Sequence, residues 1–357
     1  MNKRKKVGIL SLPYDANYGW VLQHYALYKI IKLYGHEPIS ICRKWNRPGS
    51  RPIAYHIKKF IYYNLLSRNI FNFYKKNINN RTEIFDSQES LTNITRYDLE
   101  AIVVGSDQVW RTEFTSLVGN NFFLDFVESK KISKLSYAAS FGTDEWIEGT
   151  NRTAVVKTLL DDFDYISVRE ISGIDLCKKE FEIKVESVVD PTLLLNKDQY
   201  NELIDSEVSL FQKPTLITYI LDHNKSKSNL VTLISKSLTL AQFHLYPKRK
   251  KIWSYFIRVE KWLGAFRDCD FVITDSFHGT VFAIIYNKQF ITIANKERGL
   301  TRFTSLLNLF NLSSRLVFMS DQIDINKLIN DRIDFKPING LVKKEQERSK
   351  TIFDRFI

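Results

Sequence analysis

The chain has 357 residues, more than a single hydrophobic core usually supports, so two domains are expected. Its hydrophobic content of 44% is typical of a soluble globular protein. No apolar run approaches the roughly 18 residues of a membrane span, and the run at residues 7–12 is too short for a signal peptide. We therefore expect a cytoplasmic protein. Cys42, Cys177 and Cys269 are few and far apart, which argues against a disulfide framework or a zinc site.

The net charge of +12 is concentrated near the amino terminus. Residues 1–80 contain fifteen Lys and Arg against two acids, whereas residues 81–357 contain 37 basic and 38 acidic residues. Three interpretations stay open: a nucleic-acid partner, an anionic membrane surface or pyrophosphate-linked acceptor, and a solvated basic face without a partner. We expect no nucleic-acid partner, because no zinc finger, recognition-helix pattern, RNP-type strand or KH loop is present. The residues available to a membrane include Arg43, Lys44, Arg47, Arg51, Lys58, Lys59, Arg68, Lys75 and Lys76.

Strand-like and helix-like segments alternate in the first half of the chain. Strands are predicted at residues 7–12, 38–41, 99–104, 136–140, 165–168 and 185–189. Helices are predicted at about residues 20–34, 53–76, 152–162 and 171–181. The loop between the first strand and helix lacks the GxGxxG pattern, which excludes a dinucleotide fingerprint.

The same alternation resumes in the second half. Asp190-Pro191 interrupts it, and the polar, irregular segment 196–214 is the predicted hinge. Strands are then predicted at residues 216–221, 242–246, 271–273 and 290–293. Helices are predicted at residues 225–238, 260–267, 280–285, 301–310 and 341–356. This order indicates the α/β class with parallel sheets.

Two polar residues stand at the ends of predicted strands in the first half. Asp107 follows strand 99–104, where open α/β sheets bind ligands; it either orients or deprotonates a hydroxyl, or caps the turn. Arg169 ends strand 165–168 and precedes a helix. An isolated Arg in this position is usually a surface ion-pair partner, here of Glu170.

The segment FVITDSFHGTVFAIIY, residues 271–286, contains the clearest local signal. A short apolar strand is followed by helix-capping residues and an almost wholly apolar helix, so the helix begins at the carboxyl edge of a sheet. Its unpaired N–H groups and about half a positive charge favour an anion. Gly279 allows close approach of the backbone to a ligand. His278 can donate to an anion or transfer a proton; the alternative is that it only caps the strand or helix.

Those residues carry a family resemblance. DSFHGTVFAIIYNKQFI resembles the C-terminal signature of the polysaccharide pyruvyl transferase family. Further similar blocks occur in the same order as in the family: NYGWVLQHYAL, VVGSDQVWR, FFLDF, SYAASFG, ISVRE, VVDPTLLL and NKERGLTRF. The resemblance spans residues from about 7 to about 315. The chain departs from it at Trp20 and His24, where the family usually has small residues, so the acceptor-side pocket is expected to differ in shape.

The resemblance implies two Rossmann-like domains that face each other across a cleft, the glycosyltransferase-B-like architecture. Residues 1–195 would form the acceptor-side domain, with a basic helical insert at about residues 45–80. Residues 196–340 would form the donor-side domain, and residues 341–357 a helix that crosses back to the first domain. The implied activity transfers the enolpyruvyl group of phosphoenolpyruvate to a sugar as a ketal.

The resemblance also implies site residues. Arg169, His278 and Arg298 match the positions that bind phosphoenolpyruvate, and Gly279 and Thr280 complete the donor set at the helix end. His278 and Asp107 are the catalytic candidates, and the acceptor-side residues are Asn17, Tyr18, Gln23 and Asp107. Asp275 and Tyr18 are further candidates for a second acid or base. No metal or cofactor is expected, because two Arg and a helix terminus can stabilise the phosphate charge.

Two other classes of function remain open at this point. One is a nucleotide-sugar-dependent glycosyltransferase of the same architecture, with the diphosphate held at the helix end. The other is a non-catalytic protein that docks to a glycolipid or to partner enzymes. In the pyruvyl transferase interpretation the acceptor is a sugar of a lipid-linked oligosaccharide, which brings the protein to the inner face of the cytoplasmic membrane.

Overall fold

The computed structural model describes residues 4–45, 57, 60–205, 207–246, 256–294 and 299–357. The strands are β1 Lys6–Leu10, β2 Glu37–Arg43, β3 Arg81–Phe85, β4 Ala101–Val104, β5 Ser133–Ala139, β6 Tyr165–Val168, β7 Glu186–Ser187, β8 Thr215–Tyr219, β9 Ala241–His244, β10 Phe271–Thr274, β11 Gln289–Ile293 and β12 Leu316–Val317. The α-helices are α1 Tyr18–Leu33, α2 Arg68–Asn77, α3 Gln88–Leu91, α4 Thr112–Thr115, α5 Thr150–Leu160, α6 Ile171–Phe181, α7 Lys197–Asn201, α8 Lys225–Ser237, α9 Val259–Asp268, α10 Phe277–Ile285, α11 Leu300–Leu309, α12 Ile325–Asn330 and α13 Phe335–Phe356.

The chain divides into two compact units. Unit 1 comprises Met1–Arg51, Tyr74–Leu194 and Lys343–Ile357, and unit 2 comprises Pro52–Phe73 and Leu195–Val342. The insert predicted at about residues 45–80 spans the boundary between the units, because Pro52–Phe73 is grouped with unit 2 and the chain from Tyr74 with unit 1. Its described part contains a π-helical turn, Tyr62–Leu66, before α2.

Unit 1 is built on a parallel seven-stranded sheet in the order β3-β2-β1-β4-β5-β6-β7. In β4 all four residues are buried, because helices and loops cover both faces of a parallel sheet. This double burial explains why β4 appears in the sequence as a continuous apolar run. The strand order reverses between β1 and β4, which makes their carboxyl ends the switch point of this sheet.

Unit 2 is built on a parallel five-stranded sheet in the order β12-β11-β10-β8-β9. The central strand of this sheet is β10, and all four of its residues are buried. Below the sheet, Trp262 of α9 packs edge-on against Phe282 of α10, with ring centroids 5.0 Å apart. The order reverses between β8 and β10, so α10 begins beside the switch point.

Several elements and helix boundaries differ from the sequence-based expectations. The strands β3 and β12 and the short helices α3, α4, α7 and α12 were not predicted. α1 begins at Tyr18 instead of about residue 20, α10 at Phe277 instead of residue 280, and α13 at Phe335 instead of about residue 341. Both missed strands lie at sheet edges. Edge strands have one unpaired side, so they need not be uniformly apolar.

The last part of α13 belongs to unit 1. Gln346 Nε2 donates to the Leu193 carbonyl at 2.6 Å, and the Ser349 hydroxyl accepts from the Val189 N–H at 3.2 Å. Phe353 stacks on Tyr137 with centroids 5.4 Å apart. The three cysteines are free thiols. In the described part of the chain, no helix is both long and apolar enough to cross a bilayer.

Candidate functional site

Asp107 follows β4 at the switch point of unit 1 and has an unusual backbone conformation. Its φ is +87°, a region that non-glycine residues rarely occupy. Backbone bonds fix this conformation, since Asp107 pairs with Ala139 in an isolated parallel bridge and its carbonyl accepts from the Ser140 N–H at 3.0 Å. Its carboxylate accepts from the Gln108 N–H at 2.9 Å. A strained backbone held by its surroundings is a recurrent property of functional positions.

Arg169 follows β6, and its side chain is only 2% exposed, so it is not a surface ion-pair partner. Its Nη1 donates to Asp190 Oδ2 at 2.9 Å and to Ser106 Oγ at 3.3 Å. Its Nη2 lies 3.9 Å from Asp107 Oδ1, and its Nε lies 3.9 Å from Glu170 Oε2. One buried guanidinium thus lies among three carboxylates.

The carboxylates of Glu170 and Asp190 connect Arg169 to the neighbouring loops. Glu170 Oε1 accepts three hydrogen bonds, from Ser140 Oγ at 2.8 Å, Phe141 N at 2.9 Å and Gly142 N at 3.1 Å. Asp190 Oδ1 accepts from the N–H and the hydroxyl of Thr192, at 3.0 and 2.6 Å. The place of Asp190 in this cluster was not predicted. Its signal was present, because Asp190 directly follows the strand predicted at residues 185–189.

The other residues predicted on the acceptor side lie on α1, which follows β1 at the same switch point. Asn17 caps the helix, since its Oδ1 accepts from the N–H groups of Gly19 at 2.8 Å and Trp20 at 3.4 Å. Tyr18 and Gln23 are completely buried. The neighbouring His24 lies 3.0 Å from the Ser11 hydroxyl through Nδ1, and burial lowers its pKa to about 3.

His278 lies in the first turn of α10, beside the switch point of unit 2, and is only 7% exposed. Its ring contacts Phe277 edge-on at 5.3 Å. The preceding Asp275 accepts from the Leu221 N–H at 2.7 Å and from Lys227 Nζ at 2.7 Å. Since Asp275 is fully buried in this ion pair, its geometry favours a structural role over that of a second acid or base.

Gly279 and Thr280 hold α10 against the sheet. A Cβ at Gly279 would lie 2.2 Å from Thr274 Oγ1, so only glycine fits where the helix crosses the strand. The Thr280 hydroxyl bonds to the Ser276 carbonyl at 3.2 Å and lies 2.8 Å from Thr292 Oγ1. These contacts within unit 2 explain why glycine stands at position 279 and threonine at position 280 without any role in ligand binding. Arg298 lies outside the described residues.

The family model described as polysaccharide pyruvyl transferase matches residues 17–297, most of the chain. The chain belongs to the polysaccharide pyruvyl transferase family. The matched segment contains every predicted site residue except Arg298, the residue immediately after it. This membership confirms the resemblance noted in the sequence. A search of curated proteins found no match.

Similarity to solved structures shows the fold of this chain. A UDP-N-acetylglucosamine 2-epimerase from Rickettsia bellii is 12% identical, with a TM-score of 0.52, and the match covers 99% of this chain and 98% of that chain. Staphylococcus aureus MnaA, in a co-structure with UDP, is 13% identical, with a TM-score of 0.53 and coverages of 98% and 90%. A putative UDP-N-acetylglucosamine 2-epimerase from Listeria monocytogenes is 11% identical, with a TM-score of 0.51 and coverages of 97% and 98%. The fold class of two Rossmann-like units is thereby confirmed.

Proposed function

We propose that this protein moves the enolpyruvyl group of phosphoenolpyruvate to two hydroxyls of one sugar, forming a pyruvate ketal on a cell-surface polysaccharide or its lipid-linked precursor. The observation that carries the proposal is the position of His278, in the first turn of α10 at the switch point of unit 2 and inside the matched segment. A helix terminus with an imidazole suits a phosphate that must bind and then leave.

In unit 2, the proposed donor-binding groups are His278, the N–H groups of α10 and Arg298; in unit 1, Arg169 is the proposed cation for the donor. A guanidinium suits a carboxylate or phosphate because its planar fork binds both oxygens and stays charged. Arg169 is held by Asp190 at 2.9 Å, so binding requires Arg169 to share its donors between Asp190 and the ligand. Asp190 is therefore the residue that orients the guanidinium plane of Arg169.

The proposed reaction begins when an acid protonates the methylene carbon of phosphoenolpyruvate, which creates an oxocarbenium-like centre at the adjacent carbon. A first sugar hydroxyl adds there and loses its proton. Phosphate then leaves, and a second hydroxyl adds and loses its proton, closing the ketal. The two hydroxyl protons balance the one gained by carbon and the one taken up by phosphate. His278 is the proposed proton donor, and Asp107 the proposed group that receives a hydroxyl proton.

Phosphate release tests the proposal directly. Purified protein is incubated with phosphoenolpyruvate and a panel of sugar acceptors, and in parallel with UDP-sugars and the same acceptors. We expect acceptor-dependent release of inorganic phosphate from phosphoenolpyruvate only. Release of UDP without release of phosphate would instead establish the glycosyltransferase alternative, and no release from either donor would favour a non-catalytic docking protein.

Direct binding provides a second measurement. Phosphoenolpyruvate at 100 times its dissociation constant should stabilise the protein by ~2.7 kcal/mol. Calorimetry on Arg169→Lys should show affinity lower by about 1.5–3 kcal/mol, because the ammonium keeps the charge but not the fork. Arg298→Lys is the parallel variant. Wild-type affinity in either variant would remove that residue from the donor site.

The lipid-linked acceptor places the enzyme in the cytoplasm, at the inner face of the membrane, as part of the same proposal. Arg68, Lys75 and Lys76 are exposed, whereas Phe73 and Tyr74 between them are buried. The exposed cations are available to anionic headgroups at ~1 kcal/mol each. Lys58 and Lys59 lie outside the described residues. Sedimentation with anionic and neutral vesicles at low and high salt checks this contact, which Lys75→Glu with Lys76→Glu should weaken.

A further inference from the structure

Gln23 stands out among the buried polar side chains of unit 1. It is completely buried, and within the described residues neither its amide nitrogen nor its amide oxygen has a hydrogen-bond partner. Buried side-chain amides are normally paired, because leaving a donor or acceptor unsatisfied in the interior is costly. Gln289 in unit 2, which is half-buried, shows the paired arrangement: its Nε2 donates to the Ile333 carbonyl at 3.0 Å, and its Oε1 accepts from the Ile333 N–H at 2.8 Å.

The neighbours of Gln23 show which part of the sheet this side of α1 covers. Leu27 is one helical turn further along the same face, and its Cδ2 would be 3.4 Å from a Cβ added at Gly105, directly after β4. The same Cβ would lie 2.7 Å from the hydroxyl of Ser11, directly after β1. This face of α1 therefore covers the carboxyl ends of β1 and β4, where the strand order reverses and open α/β sheets bind ligands.

His24 adds a second unsatisfied group next to Gln23. Its Nδ1 lies 3.0 Å from Ser11 Oγ, whereas its Nε2 has no hydrogen-bond partner in the described part of the chain, and the residue is 2% exposed. The rings of Trp20 and Tyr74 lie 5.7 and 6.0 Å from the imidazole. Aromatic side chains beside a few polar groups are typical of small-molecule sites.

The chemistry of these two side chains selects the kind of ligand. The amide of Gln23 both donates and accepts, and burial keeps His24 neutral by lowering its pKa to about 3. A hydroxyl also donates and accepts without charge, so sugar hydroxyls can satisfy each of these groups. A phosphate or carboxylate would instead require cations or an array of N–H donors.

We propose that Gln23 and His24 form the subsite that binds a hydroxyl of the acceptor sugar at the β1/β4 switch point of unit 1. This inference rests on the proposed function, since it gives the acceptor side of that reaction its hydrogen-bonding residues. Asn17 is already used as the cap of α1 and is not part of the subsite. Because Gln23 is fully buried, the β1–α1 loop at residues 11–17 must open to admit the sugar.

Two matched substitutions separate a ligand-binding amide from a structural one. Gln23→Leu removes the unpaired amide, and Gln289→Leu removes the paired one. We expect Gln289→Leu to lower the thermal midpoint and Gln23→Leu to leave it equal or higher. Gln23→Met, which keeps the unbranched stem, is the second variant in case Leu disturbs packing at this position.

Binding is measured by saturation-transfer NMR with the methyl glycosides of galactose, glucose and mannose as probes. The wild type should bind at least one of them, and the Gln23 variants should weaken that binding about 10-fold or more, as expected for a lost hydrogen bond that leaves the sugar hydroxyl unsatisfied. Gln289→Leu should bind like the wild type. Wild-type binding of no probe, or equal binding by both Gln23 variants, would overturn the proposal.

Phosphate release from phosphoenolpyruvate is measured on the same samples to keep the two proposals apart. Gln23-dependent glycoside binding without any phosphate release would support the hydroxyl subsite and refute pyruvyl transfer. Phosphate release by the wild type together with unchanged acceptor KM in Gln23→Leu would support pyruvyl transfer and refute the subsite.

Discussion

Arg169 and Asp190 form a buried ion pair, with 2.9 Å between Nη1 and Oδ2. The same Asp190 oxygen accepts from the Ser106 hydroxyl at 3.0 Å. The pair therefore joins the end of β6 to the loop after β4 and to the segment after β7. Since neither side chain is more than 2% exposed, the Asp190 carboxylate depends on Arg169 for compensation, whereas Arg169 also has Asp107 and Glu170 at 3.9 Å.

The first prediction concerns the stability of this cluster. Arg169→Met leaves three carboxylates without their cation, so we expect a loss of about 3–5 kcal/mol in the free energy of unfolding. Asp190→Asn should cost less, because Asp107 and Glu170 remain 3.9 Å from the guanidinium. Denaturant unfolding measures both. The control is Arg4→Ala, which removes an exposed pair with Glu37 and should change stability by less than about 1 kcal/mol. Equal effects of the three substitutions would contradict the assignment.

The second prediction concerns proton transfer by His278. His278→Gln keeps a hydrogen-bonding side chain but removes the acid, so the rate of ketal formation should fall by ~10² or more while phosphoenolpyruvate affinity stays within a few-fold. Steady-state kinetics and calorimetry measure the two quantities. A parallel fall in affinity and rate would identify His278 as a phosphate ligand only. Wild-type activity in the variant would require the proposed mechanism to be withdrawn.

The third prediction concerns the contact between α10 and β10. Gly279→Ala places a Cβ 2.2 Å from Thr274 Oγ1, and overpacking of this kind typically costs about 1–3 kcal/mol. It should also shift the first turn of α10 and reduce turnover. Gly340 in α13 is the matched control, since a Cβ there meets nothing within 4 Å. Gly340→Ala should be stabilising by roughly 0.5–1 kcal/mol. Thermal melts of the two variants decide whether the close approach at Gly279 exists in solution.

The fourth prediction concerns the acid side of the stability profile. Burial lowers the pKa of His24 from 6.5 to about 3, so between these values the unfolded chain binds a proton that the folded protein excludes. His24 therefore reduces stability as pH falls below about 6.5, by up to about 1.4 kcal/mol per pH unit, and has no such effect above that pH. His24→Gln should lose about 2 kcal/mol less than the wild type between pH 7 and pH 5.

Denaturant unfolding at the two pH values measures this difference. Gln23→Leu serves as the control, because it changes the neighbouring buried side chain without removing a titrating group and should keep the wild-type pH dependence. An unchanged pH dependence in His24→Gln would show that folding does not lower the pKa of His24.

The strands that were predictable are those buried on both faces. β4 and β10 appear as continuous apolar runs, because helices and loops cover both sides of a central parallel strand. β3 was not predictable, since it lies at the sheet edge and its Ile84 is 69% exposed. β12 has only two residues, too few for a periodic pattern.

The sequence by itself determined the alternating α/β order and the residue types at the strand ends, because local burial and turn chemistry are visible in neighbouring residues. It therefore located Asp107, Arg169 and His278 at the carboxyl edges of parallel sheets. The tertiary structure decided which groups those side chains meet. The pairing of Arg169 with Asp190, the approach of Gly279 to Thr274 and the unpaired amide of Gln23 all depend on packing between separate elements, to within a few tenths of an ångström, which no local pattern encodes.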